Sequence, residues 1–252
     1  MNLLSTNSLD KDIPVSIIIS VIPMSKDSEI NHFFICFTGL DGGGKTTQAM
    51  KLVESLKTKG IKCEYVYARL NPFILKPFML MGEKIFLNKK NIYDDYINYS
   101  NTKKNAISKH SFLSQIYEKI LLFDYFIQMC IKIKIPLLFG KSIVCDRYIF
   151  DTVVTDIYVD MQYSNEKLIN LLNILFHLFP KPDMTFLIDI PEEIAFNRKD
   201  DTPSIEYLKE RRDMYLHVGE IYNMIVLDGS LDRNKLQILI REKSLQMLGY
   251  NE

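Results

Sequence analysis

The stretch "FTGLDGGGKTTQ", Phe37 to Gln48, carries four glycines and a Lys-Thr-Thr within twelve residues. Gly39, Gly44, Lys45 and Thr46 fit the spacing G-x-x-x-x-G-K-[ST]. At ordinary residue usage a random chain of this length matches that pattern about once in a hundred, so the flanks must decide. Upstream, "FFICFT" (Phe33 to Thr38) is a continuous apolar run of strand length, as expected of a strand buried on both faces. Downstream the period changes to i, i+3, i+4, i+7 at Ala49, Leu52, Val53 and Leu56, with Gly60 as a stop. A glycine turn between strand and helix accounts for Gly39 but not for the Lys-Thr pair. Glycine-freed N–H groups and the helix N-terminus converge on phosphates, Lys45 reaches the outer ones, and the Thr46 hydroxyl can hold Mg²⁺. The stretch predicts a site for a nucleoside triphosphate, with ATP and Mg²⁺ as the expected ligands.

Strand and helix alternate along the rest of the chain. Strands are expected at 62–68, 142–146, 184–189 and 225–228, and helices at 72–87, 112–134, 149–179, after Pro191, and at 231–248. Pro136 and Gly140 close the long helix over 112–134, and Pro191 with Glu192 and Glu193 opens a later one. Alternation of this kind predicts one α/β domain, a five-stranded parallel sheet with helices on both faces. Residues 1–32 read as an N-terminal extension ahead of a domain over 33–252. Residues 88–111, rich in Asn, Lys, Tyr and Ser and without a clean period, read as an insertion or mobile connection.

Composition narrows the function classes. Thirty-one Lys plus Arg balance thirty-one Asp plus Glu, so no net field draws the protein to nucleic acid or to an anionic membrane, and phosphate binding must be local. The apolar run "PVSIIISVIP" near the start is far shorter than the ~20 residues a membrane span needs. It is not flanked like a signal peptide, and Met24 after it is a possible later start. Cys36, Cys63, Cys130 and Cys145 form no C-x-x-C pair and read as reduced core residues of a cytoplasmic protein. His110, His177 and His217 show no spacing that suggests metal or nucleophile chemistry.

Two further positions bear on the acceptor. "IVCDRY", Ile143 to Tyr148, puts Asp146 at a strand end, where it can organise Mg²⁺ and its waters, and Arg147 one residue on, where it can reach a second phosphate. A hydroxyl acceptor needs a carboxylate base near the end of the second strand, whereas a phosphate acceptor arrives ionised and needs positive charge. That strand ends Tyr67-Ala68-Arg69. No N-K-x-D guanine reader is present, and 252 residues leave little room for the extra subdomains of a motor or transport ATPase.

With these pieces in order the chain resembles the thymidylate kinases, a P-loop nucleoside monophosphate kinase family. The resemblance runs from "FTGLDGGGKTTQ" through Arg69, "GKSIVCDRY", "PKPDMTFLIDIPEEIAFNR" and "ERRDMYLHV" to "IVLDGS", about residues 33 to 240. It implies transfer of the ATP γ-phosphoryl group to dTMP, Mg²⁺ dependence, and a homodimer. Carried over, it puts ATP on Gly39, Asp41, Gly42, Gly43, Gly44, Lys45, Thr46 and Thr47, with Gly229 and Ser230 near the adenine. Thr46 and Asp146 serve the metal. Asp41, Arg69, Arg147 and Tyr148 serve the acceptor, and Lys45, Asp146, Arg147 and Arg198 carry catalysis, Arg198 from a lid over about 197–206; Asp151 is a further candidate for the acceptor. The other readings kept open are a kinase of this fold acting on another small molecule and a nucleotide-binding homologue with a regulatory role.

The chain departs from the family at several places. After the second strand it reads "RLNPF" where thymidylate kinases often carry "REPGG", and "LLFDYF", Leu121 to Phe126, places Tyr125 or a neighbour where an arginine is usual. Gly42 and Gly43 exclude a transition-state arginine from the loop, so Arg198, Lys199, Arg211 or Arg212 must supply that charge. Asp151 stands where a small residue is more usual, either binding the acceptor or capping the turn.

Overall fold

The computed structural model describes residues 32–69, 71, 111–158, 163–198 and 204–250. The expected helix over 72–87, the 88–110 segment, residues 199–203 of the lid and the chain before residue 32 lie outside them. Five strands form one sheet: β1 (Phe34–Gly39), β2 (Glu64–Tyr67), β3 (Ile143–Asp146), β4 (Met184–Asp189) and β5 (Ile225–Asp228). Their order is β2-β3-β1-β4-β5 and every pairing is parallel, as the alternation predicts.

Burial on both faces explains the unbroken apolar run of β1. Phe34 and Cys36 join the core on one face with α2 (Ser111–Met129), α4 (Asn165–Leu178) and α6 (Ile205–Ile221). Ile35 and Phe37 join the opposite core, packed by α1 (Lys45–Thr58) and α7 (Arg233–Met247). Phe37 meets Phe186 of β4 with ring centroids 5.2 Å apart, and each such fully buried side chain contributes roughly 1.5–3 kcal/mol.

Two helices differ from the periodic expectation. The long one continues from α2 through a wider π turn, Cys130–Lys134, into Ile135–Leu138. There the N–H of Ile135, the residue just before Pro136, reaches back to the Cys130 carbonyl, and Pro136 has no N–H to give. The helical region after β3 is split into α3 (Ile149–Asp151), a π-helical stretch over Thr152–Tyr158, and α4. The short α5 (Glu192–Asn197) follows β4 with Pro191 as its N-cap.

Register brings chemistry to one edge. Phe37 pairs with Asp146, Tyr67 with Asp146, Gly39 with Ile188, and Asp189 with Asp228. The C-terminal ends of all five strands therefore open toward the glycine loop, flanked by β3 and β4, where open parallel sheets take their ligands.

Candidate active site

The loop after β1 leads straight into α1, whose N-cap Gly44 makes no side-chain cap and whose first intrahelical bond runs from the Gln48 N–H to the Gly44 carbonyl (3.1 Å). The amides before Gln48 have no helical partner, which makes the turn an anion receptor. Glycine is required where the loop presses on its neighbours. At Gly39, φ is +130° and a Cβ would lie 2.4 Å from the Ile188 carbonyl oxygen. At Gly42, φ is +84° and a Cβ would lie 2.7 Å from the Ala195 carbonyl oxygen, so no side chain, arginine included, fits there.

Lys45 is buried, and its ammonium donates to the carbonyl oxygens of Gly39 (2.8 Å) and Leu40 (2.5 Å). Burial, reinforced by Arg147, lowers its pKa to about 8. The loop, Lys45, Tyr67, Arg69, Arg198 and Arg233 surround a cleft of about 540 Å³, within the range of small-molecule sites.

At the end of β3, Asp146 is fully buried. One of its carboxylate oxygens accepts from the Thr46 hydroxyl (2.5 Å) and from the Tyr65 hydroxyl of β2 (2.9 Å), while Oδ1 is buried with no hydrogen-bond partner. A buried carboxylate oxygen left open beside a threonine hydroxyl and a phosphate-binding turn suits a hydrated divalent cation.

Opposite it lies an ion network drawn from four elements. Arg147 sits in the left-handed region, φ 67°, with its N–H on the Phe37 carbonyl (2.9 Å). Its Nη2 pairs with Asp41 of the loop, and its Nη1 donates to Asp151 of α3 at 3.2 Å. Arg69 lies 3.7 Å from the other oxygen of Asp41. Burial pushes the Asp41 carboxyl up, but Arg147, Lys45 and Arg69 outweigh it and hold its pKa below the usual value. Asp151 also accepts from Thr38 of β1 (2.8 Å) and Tyr215 of α6 (3.0 Å). Burial raises its pKa, which Arg147 and Lys45 oppose.

Lys45, Thr46, Asp41, Arg69, Arg147, Arg198 and Gly229 thus come together around one cleft, with Thr47 in the exposed first turn of α1. Arg198 donates to the Gly229 carbonyl (3.2 Å) and reaches toward that of Gly42 (3.5 Å). Tyr148 does not join them. Its ring is fully buried against Phe34 and its hydroxyl donates to the Pro180 carbonyl (3.0 Å), so the expectation that its side chain serves the acceptor is corrected: the turn in the backbone at Arg147 sends it into the core. Ser230 turns its hydroxyl back onto Asp228 (2.6 Å).

Neither Arg211 nor Arg212 is placed to supply transition-state charge. Arg211 is buried over the Tyr207 ring and donates to the Tyr207 and Thr155 carbonyls. Arg212 is forked onto Asp189 (2.8 and 2.9 Å) and also bonded to Glu192 (2.8 Å). Lys199 lies outside the described residues. Tyr125, near the usual arginine position, is fully buried in the core. Sequence reasoning missed Tyr65, Thr38 and Tyr215, whose hydroxyls donate to the buried carboxylates of Asp146 and Asp151. Only their reach across the sheet reveals them.

Comparison with known proteins agrees with this arrangement. The family model described as thymidylate kinase matches residues 94–240. A probable thymidylate kinase of Sulfurisphaera tokodaii is 32% identical over 221 residues, covering 85% of this chain and 95% of that protein. Probable thymidylate kinase 1 of Saccharolobus solfataricus is 30% identical over 211 residues, 80% of this chain and 91% of its own. A thymidylate kinase of Sulfurihydrogenibium is 29% identical over 218 residues, 82% and 94%. The chain belongs to the thymidylate kinase family.

Proposed function

We propose that this protein transfers the γ-phosphoryl group of ATP to dTMP, giving dTDP, with Mg²⁺ as the metal. A member of this family is a nucleoside monophosphate kinase, a transferase that takes ATP as its donor. The observation that carries the acceptor is the meeting of Arg69 and Arg147, from the ends of β2 and β3, on the single loop carboxylate of Asp41. Two guanidiniums converging at the mouth of the cleft suit a phosphate dianion, which they can bind as forks. An acceptor of that kind is already ionised, so the absence of a carboxylate base at the end of β2 costs nothing.

Catalysis is then positioning and charge neutralisation. The loop amides of residues 42–47 hold the donor phosphates, and the Lys45 ammonium exchanges its carbonyl contacts for the outer phosphate oxygens. Arg69 and Arg147 hold the acceptor phosphate in line, and Arg198 supplies charge from the Gly229 side of the cleft. Thr46 and Asp146 would hold Mg²⁺, Asp146 through its open oxygen; bound there, the ion neutralises the charge that builds on the phosphates.

The test is dTDP formation by the purified chain with ATP and Mg²⁺, against a panel of nucleoside monophosphates, nucleosides and sugars. Turnover of dTMP in preference to the others is expected. Turnover of a different acceptor alone, or ATP binding with no turnover, would sink the assignment.

We further propose the homodimer that the resemblance implies, formed through the helix of α2. Phe123, Ile131, Ile135 and Leu138 are 58%, 62%, 45% and 75% exposed along it, an apolar face a second copy would cover. Sedimentation of a monomer at micromolar concentration would refute it. Four free cysteines suit action in the cytoplasm, and among the described residues no helix is long and apolar enough to cross a membrane.

A further inference from the structure

We propose that Asp151 is a positioning residue for Arg147: it anchors the guanidinium from below, so that an arriving acceptor phosphate displaces Asp41 and not the anchor. The inference rests on the acceptor reading above and goes beyond it, because Asp151 does not itself line the cleft and meets it only through Arg147.

A turn cap explains only one of the contacts of Asp151, the one from the Tyr148 N–H at 3.3 Å. Three more donors reach the same carboxylate: the Thr38 hydroxyl from β1, the Tyr215 hydroxyl from α6, and Nη1 of Arg147. Four donors are about as many as a carboxylate accepts. None is left over for a ligand, and the side chain is wholly shielded from solvent. Direct acceptor binding is therefore excluded, and capping alone is too small a role for the arrangement.

The two carboxylates on Arg147 differ in kind. Asp41 belongs to the loop and its side chain is 23% exposed, whereas that of Asp151 is 0% exposed and held by three elements. A phosphate entering from the cleft meets the Asp41 side of the guanidinium. It can replace that one pairing while Nη1 stays bonded to Asp151, so Arg147 need not find a new rotamer to bind the acceptor. Buried charges hold such a geometry only when each remaining oxygen is bonded, which is what Thr38 and Tyr215 supply. Tyr215 also extends the anchor to α6, joining the placement of Arg147 to the helix that begins directly after residues 199–203.

The experiment is steady-state kinetics of the full chain, wild type beside Asp151→Asn and Tyr215→Phe, with melting temperatures and a crystal structure of Asp151→Asn. For Asp151→Asn the KM for dTMP is expected to rise by about tenfold or more with the KM for ATP within about twofold, and the Arg147 guanidinium to leave its place. Tyr215→Phe, which removes one bond and little volume, shifts the dTMP KM the same way by about two- to fivefold. A lower melting temperature with both KM values unchanged overturns the proposal and leaves Asp151 structural. If Asp151→Asn does not fold, Tyr215→Phe decides, and an unchanged dTMP KM there overturns it. Wild-type protein that turns over no dTMP refutes the function reading instead; the crystal structure then decides, and Arg147 keeping its place in Asp151→Asn overturns the positioning role.

Discussion

The two ends of the cleft are built from different materials. The donor end is almost entirely backbone: amides of a glycine loop, the start of α1, and one lysine parked on the carbonyls of Gly39 and Leu40. The end proposed for the acceptor is almost entirely side chain, with Asp41, Arg69, Arg147 and Asp151 brought from the loop and from the segments after β2 and β3, and braced by hydroxyls of Thr38 and Tyr215. Backbone geometry needs residue types at fixed spacing, and one short stretch can encode it. A side-chain network needs partners that only the folded sheet brings together.

The sharpest way to break the comparison is at the donor end. Lys45→Ala is expected to lower kcat by at least about a hundredfold, the scale of removing one preorganised donor from a charged transition state. The dTMP affinity, measured by calorimetry, should hardly change. A rate within tenfold of wild type would mean that the backbone cradle works without its lysine.

Arg198 and Arg212 sharpen it next, because both follow β4 and only one faces the cleft. Arg198→Ala is expected to lower kcat by about tenfold to a hundredfold with the melting temperature unchanged. Arg212→Ala should do the opposite. It severs the fork onto Asp189 and the bond to Glu192, at a cost of about 1 kcal/mol after allowing for its partial exposure, read as a lower melting temperature with kcat preserved. A kcat loss in Arg212→Ala equal to that of Arg198→Ala would place transition-state charge on α6.

These residues also mark where the sequence stops being legible. All five strands lie within two residues of the expectation: β1 and β3, buried throughout, leave a plain apolar run, and the edge strands β2 and β5 are short apolar stretches with exposed positions between. The π turn before Pro136 and the π-helical stretch over Thr152–Tyr158 leave none, since neither changes which residues are apolar. Arg211 and Arg212 are neighbours in sequence but about 100° apart around a helix, so one enters the core and the other the end of β4. Only α6 packed on the sheet assigns them. Tyr148 fails for the same reason as Tyr65 is missed: a tyrosine beside a motif says nothing about which side of the strand its hydroxyl will reach.

Tyr65 supports a smaller prediction. Its hydroxyl and that of Thr46 share one oxygen of Asp146, which leaves the other oxygen buried and without a hydrogen-bond partner. Tyr65→Phe removes one of the two bonds that fix this orientation. The Mg²⁺ concentration needed for half-maximal ATP binding, read by calorimetry without any acceptor, should rise about three- to tenfold, the worth of a hydrogen bond to a charged group. ATP affinity without metal should not change, and a loss there instead would assign Tyr65 to the nucleotide.

The smallest effect is a proton. Burial lowers the Lys45 pKa to about 8 in the ligand-free chain, so at that pH close to half of the molecules carry a neutral amine. Phosphates arriving beside it favour the charged form. ATP binding near pH 8 should therefore take up about half a proton, falling toward zero by pH 6.5, where the lysine is already charged. Calorimetry in buffers of different ionisation enthalpy measures this directly, and Lys45→Met should abolish it. Uptake that survives in Lys45→Met would take the titrating group away from Lys45.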